Sequence, residues 1–188
     1  MDSANTVQLD SHAAATLRYI RASMESASLL AVPGSSGIAS GTVGLLATVV
    51  SSIPALRPYW LIVWLIAAVV AAFAGGALLF RQPPIRRFAI ALLPSLFAGA
   101  VMTAVLWTSG NLRAIPGTWL LLYGCGLIAA STATARTIGL LGGAFVAVGL
   151  LALVLPDTWQ MAMLGAGFGG LHLVFGYLTR RAGHGGEG

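Results

Sequence analysis

Six long apolar runs constrain this chain more than anything else in it: Gly37 to Ile53, Tyr59 to Phe80, Phe88 to Trp107, Gly117 to Thr134, Ile138 to Leu155 and Trp159 to Thr179. Each holds about 17 to 22 residues, and a helical rise of about 1.5 Å per residue gives each roughly 25 to 33 Å, enough to cross a hydrocarbon core of about 30 Å. The connections between them are short, so successive helices are expected to be antiparallel neighbours. With 57% hydrophobic and 8% charged residues, the composition lies outside that of a soluble globular domain. The expected fold is therefore an all-α membrane protein. Six transmembrane helices form three antiparallel hairpins, preceded by a cytoplasmic amphipathic helix. The expected organisation is an N-terminal segment over residues 1–33, a bundle over 34–180 and a short tail over 181–188.

The net charge of +5 comes from ten arginines and no lysine against five acids. A basic excess can mean nucleic acid, but here almost every arginine stands at the end of an apolar run, which is the distribution that orients a membrane protein. The expected partner is the lipid bilayer, and no nucleic acid. On one side lie eight arginines (Arg18, Arg21, Arg81, Arg86, Arg87, Arg136, Arg180 and Arg181), and on the other lie two, Arg57 and Arg113. Positive-inside orientation then puts both termini in the cytoplasm, with Trp60, Trp107, Trp119 and Trp159 forming an aromatic belt at the outer interface. The outer turns also share a punctuation: Pro58-Tyr-Trp60, Pro116-Gly-Thr-Trp119 and Pro156-Asp-Thr-Trp159. A triplicated hairpin would produce it, and so would belt tryptophans combined with inside arginines.

Before the first run, Asp10 or Ser11 can cap a helix over about residues 11–30, on which Leu17, Ile20, Met24 and Ala27 make one apolar stripe. It is amphipathic and is expected to lie on the membrane surface, where it could contact a protein partner or a second copy of the chain. Pro33-Gly34-Ser35-Ser36 is expected to break the chain after it. Met1 to Asp10 is polar and lacks the pattern of a secretory leader, so no removed segment is expected.

Small residues recur at helical spacing. Gly34, Gly37, Gly41, Gly44 and Thr48 share one face of the first span, and Gly165, Gly169, His172 and Gly176 share one face of the last. The two faces are expected to meet, with Gly37, Gly41 and Gly44 packing against Gly165, Gly169 and Gly176. Gly124 and Ser131 share a face of the fourth span, as do Ser95 and Gly99 of the third, which Pro94 should bend.

His172 is the only ionisable side chain deep in an apolar run. Counted inward from Arg180 it lies about 12 Å deep, and the hydroxyls at comparable depth belong to Ser40, Thr42, Ser95 and Ser131. A neutral imidazole satisfied by a hydroxyl or a backbone carbonyl is the plainest expectation, and a proton- or ligand-sensing group the functional one. No catalytic, metal or cofactor site is expected. No second histidine lies in any span, and the lone cysteine, Cys125, is expected to be a buried, inert thiol. Coupled transport usually employs an intramembrane carboxylate, and Asp157 and Glu25 lie outside the runs.

The placement of His172, with Gly176 four residues on, is superficially similar to rhomboid-type intramembrane serine proteases. The Gly-x-Ser-Gly motif of that family is absent from the fourth span, where Ser131 follows Ala129-Ala130 and precedes Thr132. A wider resemblance runs through Leu17-Arg-Tyr-Ile-Arg-Ala-Ser-Met-Glu-Ser-Ala-Ser28, Ala31-Val-Pro-Gly34, Ile115-Pro-Gly-Thr-Trp-Leu-Leu-Leu-Tyr-Gly124 and Gly167-Phe-Gly-Gly-Leu-His-Leu-Val-Phe-Gly176. These stretches resemble a group of bacterial six-span membrane proteins. The resemblance implies a bacterial inner-membrane location and a single-domain architecture, and carries no activity. The expected function is that of a non-enzymatic accessory, sensory or regulatory protein. The alternatives are a small-solute transporter or channel subunit and, behind it, an intramembrane hydrolase.

Overall fold

The computed structural model describes residues 15–22, 34–76, 83–132 and 136–184. Among these the chain is helical apart from short turns, with no strand. Helix α1 covers residues 15–22. It is followed by α2 (Gly34–Ser52), α3 (Trp60–Gly76), α4 (Pro83–Thr108), α5 (Ile115–Ser131) and α6 (Arg136–Val154). The described residues end in α7 (Gln160–Leu164), a π-helical segment (Gly165–Leu171) and α8 (His172–His184). Six helical stretches are long and apolar enough to cross a membrane, the last of them running from Asp157 to Arg181 through α7, the π segment and α8.

In α1, Leu17 and Ile20 are exposed. Met24 and Ala27, the capping positions Asp10 and Ser11, Pro33, Arg81 and the residues after His184 lie outside the described residues. Gly34, Ser35 and Ser36 are the first turn of α2, because Gly34 lies directly against Gly176 and Thr179 of α8 and that contact favours helix there. At the other end, α8 continues past Arg181 to His184.

The turns leading into α3, α5 and α7 are short 3₁₀ helices, Arg57–Tyr59, Leu112–Ala114 and Asp157–Trp159. Their prolines are not equivalent. Pro58 lies within its 3₁₀ turn, Pro116 lies in the first turn of α5, where a missing N–H leaves no hydrogen bond unmade, and Pro156 precedes its turn.

Helix α5 is the hub, packed against α4 and α6, while α2 packs on α3 and on the sixth span. Gly117 approaches Gly149 and Leu153, and Gly124 approaches Gly142 and Val146, so α5 and α6 run antiparallel. The core between the helices is built from Ala47, Trp64, Leu120, Leu127, Ile138, Leu141, Phe145, Ala152 and Leu164. Cys125 corrects an expectation: it is exposed, not buried. Gly124 faces α6 and Gly126 faces Ser95 of α4, so the residue between them is turned to the third direction, away from both neighbours.

Candidate functional site

His172 stands where the π segment gives way to α8, and it is 8% exposed. The backbone N–H of His172 is directed to Gly169 O, three residues back. Its ring leans back over the preceding turn, as helical side chains do, and Nδ1 lies 3.0 Å from Phe168 O. A carbonyl can only accept, so Nδ1 carries the proton and donates. In the neutral ring Nε2 then accepts from the Tyr123 hydroxyl of α5, 2.9 Å away. Both nitrogens are thus satisfied by the protein.

Aromatic rings enclose the pair. Phe145 meets Tyr123 edge-on at 4.9 Å between centroids and meets His172 at 5.2 Å. Phe168 lies 5.2 Å from Tyr123 and stacks on His172 at 6.3 Å with planes 16° apart. Trp64 of α3 backs Phe168 at 5.9 Å. Helices α3, α5, α6 and the sixth span therefore converge on one polar contact inside an apolar shell.

The hydroxyls matched by depth stand elsewhere. Thr42 Oγ1 donates to Ile38 O of its own helix at 2.9 Å and is exposed, and Ser131 Oγ donates to Ile128 O at 2.6 Å. Ser95 packs against Gly126, and Ser40 is half-buried on α2. The partner that sequence reasoning missed is Tyr123, four residues after Trp119 on the face of α5 that carries Leu120 and Leu127 into the core.

The small-residue faces of α2 and the sixth span lie against each other, antiparallel. A Cβ built on Gly37 would stand 3.0 Å from Gly176 Cα, one on Gly41 2.8 Å from Gly169 O, one on Gly44 2.7 Å from Phe168 O, and one on Gly165 2.7 Å from Thr48 Oγ1. The first three are approaches to backbone and the last is to the Thr48 side chain, and the carbonyl that holds His172, Phe168 O, lies within this interface.

A second polar locus, also missed, lies nearer the end of the bundle that carries the 3₁₀ turns. Gln160 is 5% exposed and its Nε2 donates to Ala152 O at 2.7 Å, tying α6 to the start of the sixth span. At the surface beside it, Arg113 pairs with Asp157 at 2.7 Å and donates to Leu155 O at 3.2 Å. Asp157 is the only acid among the described residues, so none of them brings a carboxylate to His172. Among the described residues no three His, Cys, Asp or Glu side chains come together.

Fold and site together define a multi-pass, all-helical membrane bundle with a buried histidine–tyrosine hydrogen bond at its centre. No family model, curated protein or solved structure matches the chain.

Proposed function

We propose that this protein is a non-enzymatic accessory, sensory or regulatory component of a bacterial inner membrane. Its six spans form three antiparallel hairpins with both termini in the cytoplasm, and its N-terminal amphipathic helix is the element that contacts a partner. The observation that carries the reading is the backbone contact of Gly37, Gly41 and Gly44 with the sixth span, which leaves no side-chain-lined path along that interface. His172 fits the same reading, since both ring nitrogens are engaged within the bundle. A hydrolase would need an activated nucleophile, and Ser131 donates to its own helix while His172 is held by Tyr123.

One observation favours a transporter or channel subunit as the second reading. A seven-residue π segment interrupts the sixth span immediately before His172, and irregular backbone at membrane depth often marks a transport site. Proteoliposomes carrying a pH-sensitive dye separate the two. The accessory reading expects imposed proton and sodium gradients to decay no faster than in protein-free vesicles. A leak that disappears in His172→Gln or Tyr123→Phe would replace it with the transporter. In cells, a photo-crosslinking residue at Leu17 or Ile20 should give a discrete protein adduct, and adducts to lipid alone would count against a partner.

A further inference from the structure

We propose that α2, α3 and α7 enclose a buried water-binding site at the end of the bundle that carries the 3₁₀ turns, with Ser51, Trp64 and Gln160 supplying its hydrogen bonds. Ser51 is 0% exposed, Trp64 4% and Gln160 5%. Ser51 Oγ, Trp64 Nε1 and Gln160 Oε1 have no hydrogen-bond partner among the described residues. The described chain runs unbroken through the turns beside them, from Ser51 to Trp64 and from Ala152 to Gln160. A buried polar atom left unpaired is costly, so three of them at one end of a bundle call for a shared partner. The site goes beyond the accessory reading and does not depend on it.

Helix register brings the three together. Ala47 of α2, Trp64 of α3 and Leu164 of α7 belong to one core cluster. Ser51 stands one turn beyond Ala47 on the same face of α2, and Gln160 stands one turn before Leu164 on the same face of the sixth span. Because α2 and the sixth span are antiparallel, both steps lead toward the 3₁₀ turns. Trp64 lies one turn into α3, which starts at that same end, and helical side chains lean toward the start of their helix. The indole is therefore directed toward the level of Ser51 and Gln160. The Gln160 amide is anchored by its Nε2, which donates to Ala152 O, so Oε1 is held as an acceptor.

Donor and acceptor roles select the guest. The Trp64 N–H can only donate, Gln160 Oε1 can only accept, and the Ser51 hydroxyl can do either. A cation would be repelled by the indole N–H, and an anion by Oε1. A neutral molecule that both donates and accepts satisfies all three. Water typically makes about three hydrogen bonds in a protein interior, and it is small enough for helices whose contact just deeper, at Thr48 and Gly165, is close. The interface between α2 and the sixth span is thus direct contact along its glycines and is bridged by water beyond them.

Nuclear magnetic resonance of the full chain in detergent, with isotope-labelled tryptophan indoles, tests this directly. The Trp64 signal is assigned by its loss in Trp64→Phe. In the wild type the Trp64 indole N–H should show a cross peak to water. Ser51→Ala with Gln160→Met should abolish that peak, and each single substitution should keep part of it. Trp119, whose Nε1 donates to Thr103 Oγ1 at 2.7 Å, is the internal reference, and its unshifted signal shows that a variant is folded. In the wild type, a cross peak from Trp64 to Ser51 or Gln160 protons with none to water would mean that the side chains pair directly, and would overturn the site. A water peak unchanged in the double variant would mean hydration from the surface. Its complete loss in Ser51→Ala alone would mean relay through the hydroxyl proton, and either result overturns the bridge.

Discussion

Removing the Tyr123 hydroxyl would leave His172 Nε2 in a shell of aromatic carbon without the donor that stands 2.9 Å away. Tyr123→Phe keeps the ring contacts with Phe145 and Phe168, so its effect isolates the hydrogen bond. A buried acceptor left unpaired costs about 1–3 kcal/mol, and that loss is expected in denaturant titrations of the purified protein. His172→Gln can still donate and accept and should lose less than His172→Leu, which leaves the tyrosine hydroxyl unpaired. A Tyr123→Phe protein as stable as wild type would show that the bond contributes nothing to the fold. The histidine was legible as the one ionisable group in an apolar run, and its partner was not. Matching hydroxyls by the depth of their Cα atoms treats side chains as points, whereas the imidazole leans back onto Phe168 O, one turn toward the start of its own segment. A phenol reaches farther from its backbone than a serine does, so the residue that meets the ring is an aromatic one.

At the scale of the helices, the interfaces are set by where side chains are missing. Gly41→Leu must displace Gly169 O or the Leu173 backbone, each within 2.8 Å of the new Cβ, and overpacking of this kind costs about 1–3 kcal/mol or more. Gly143→Leu is the matched control: Gly143 is exposed on α6 with nothing within 4 Å of a Cβ, and leucine is the better helix former. Thermal denaturation in detergent should show a lower midpoint for the first and an unchanged or higher one for the second. Equal midpoints would remove the α2 contact from the account of stability. Gly124→Leu should behave like Gly41→Leu, since its Cβ would stand 2.7 Å from Gly142 O. The α2 and sixth-span faces could be read from three- and four-residue spacing. The matching faces of α5 and α6 carried the same kind of signal, Gly117 and Gly124 against Gly142 and Gly149, each pair seven apart. The π segment could not be read this way. Counting at the α-helical period assumes the period, and Gly167, off the counted face, is buried against Leu120 and Phe145.

For the whole molecule, six spans follow from length and hydropathy, but their arrangement does not. The α4 span has a mean hydropathy of 2.1 and none of its window is buried in the bundle, whereas the α5 span has 1.4 and 44% of its window buried. In lipid the apolar helix gains nothing by going inside, and close packing goes to the glycine-bearing helices. A soluble-protein instinct would invert that order. The ends of the bundle then decide orientation. The turn before α5 meets the turn before α7 through Arg113 and Asp157, and Trp60 lies 6.4 Å from Trp119, so the arginine-poor, tryptophan-bearing turns gather at one end. The other end carries Arg180 and Arg181 beside the first turn of α2. Charged side chains near span ends resist transfer across the bilayer, so the arginine-rich end should be the cytoplasmic one. Reporters that are active on only one side of the membrane, fused after residue 188 and inserted between Ser109 and Asn111, should therefore give opposite signals, cytoplasmic for the first and outer for the second. Matching signals would mean an even number of crossings between the two points and would dismantle the six-span orientation. Arg180→Glu with Arg181→Glu should weaken the bias without reversing it, because Arg86, Arg87 and Arg136 remain on the same side.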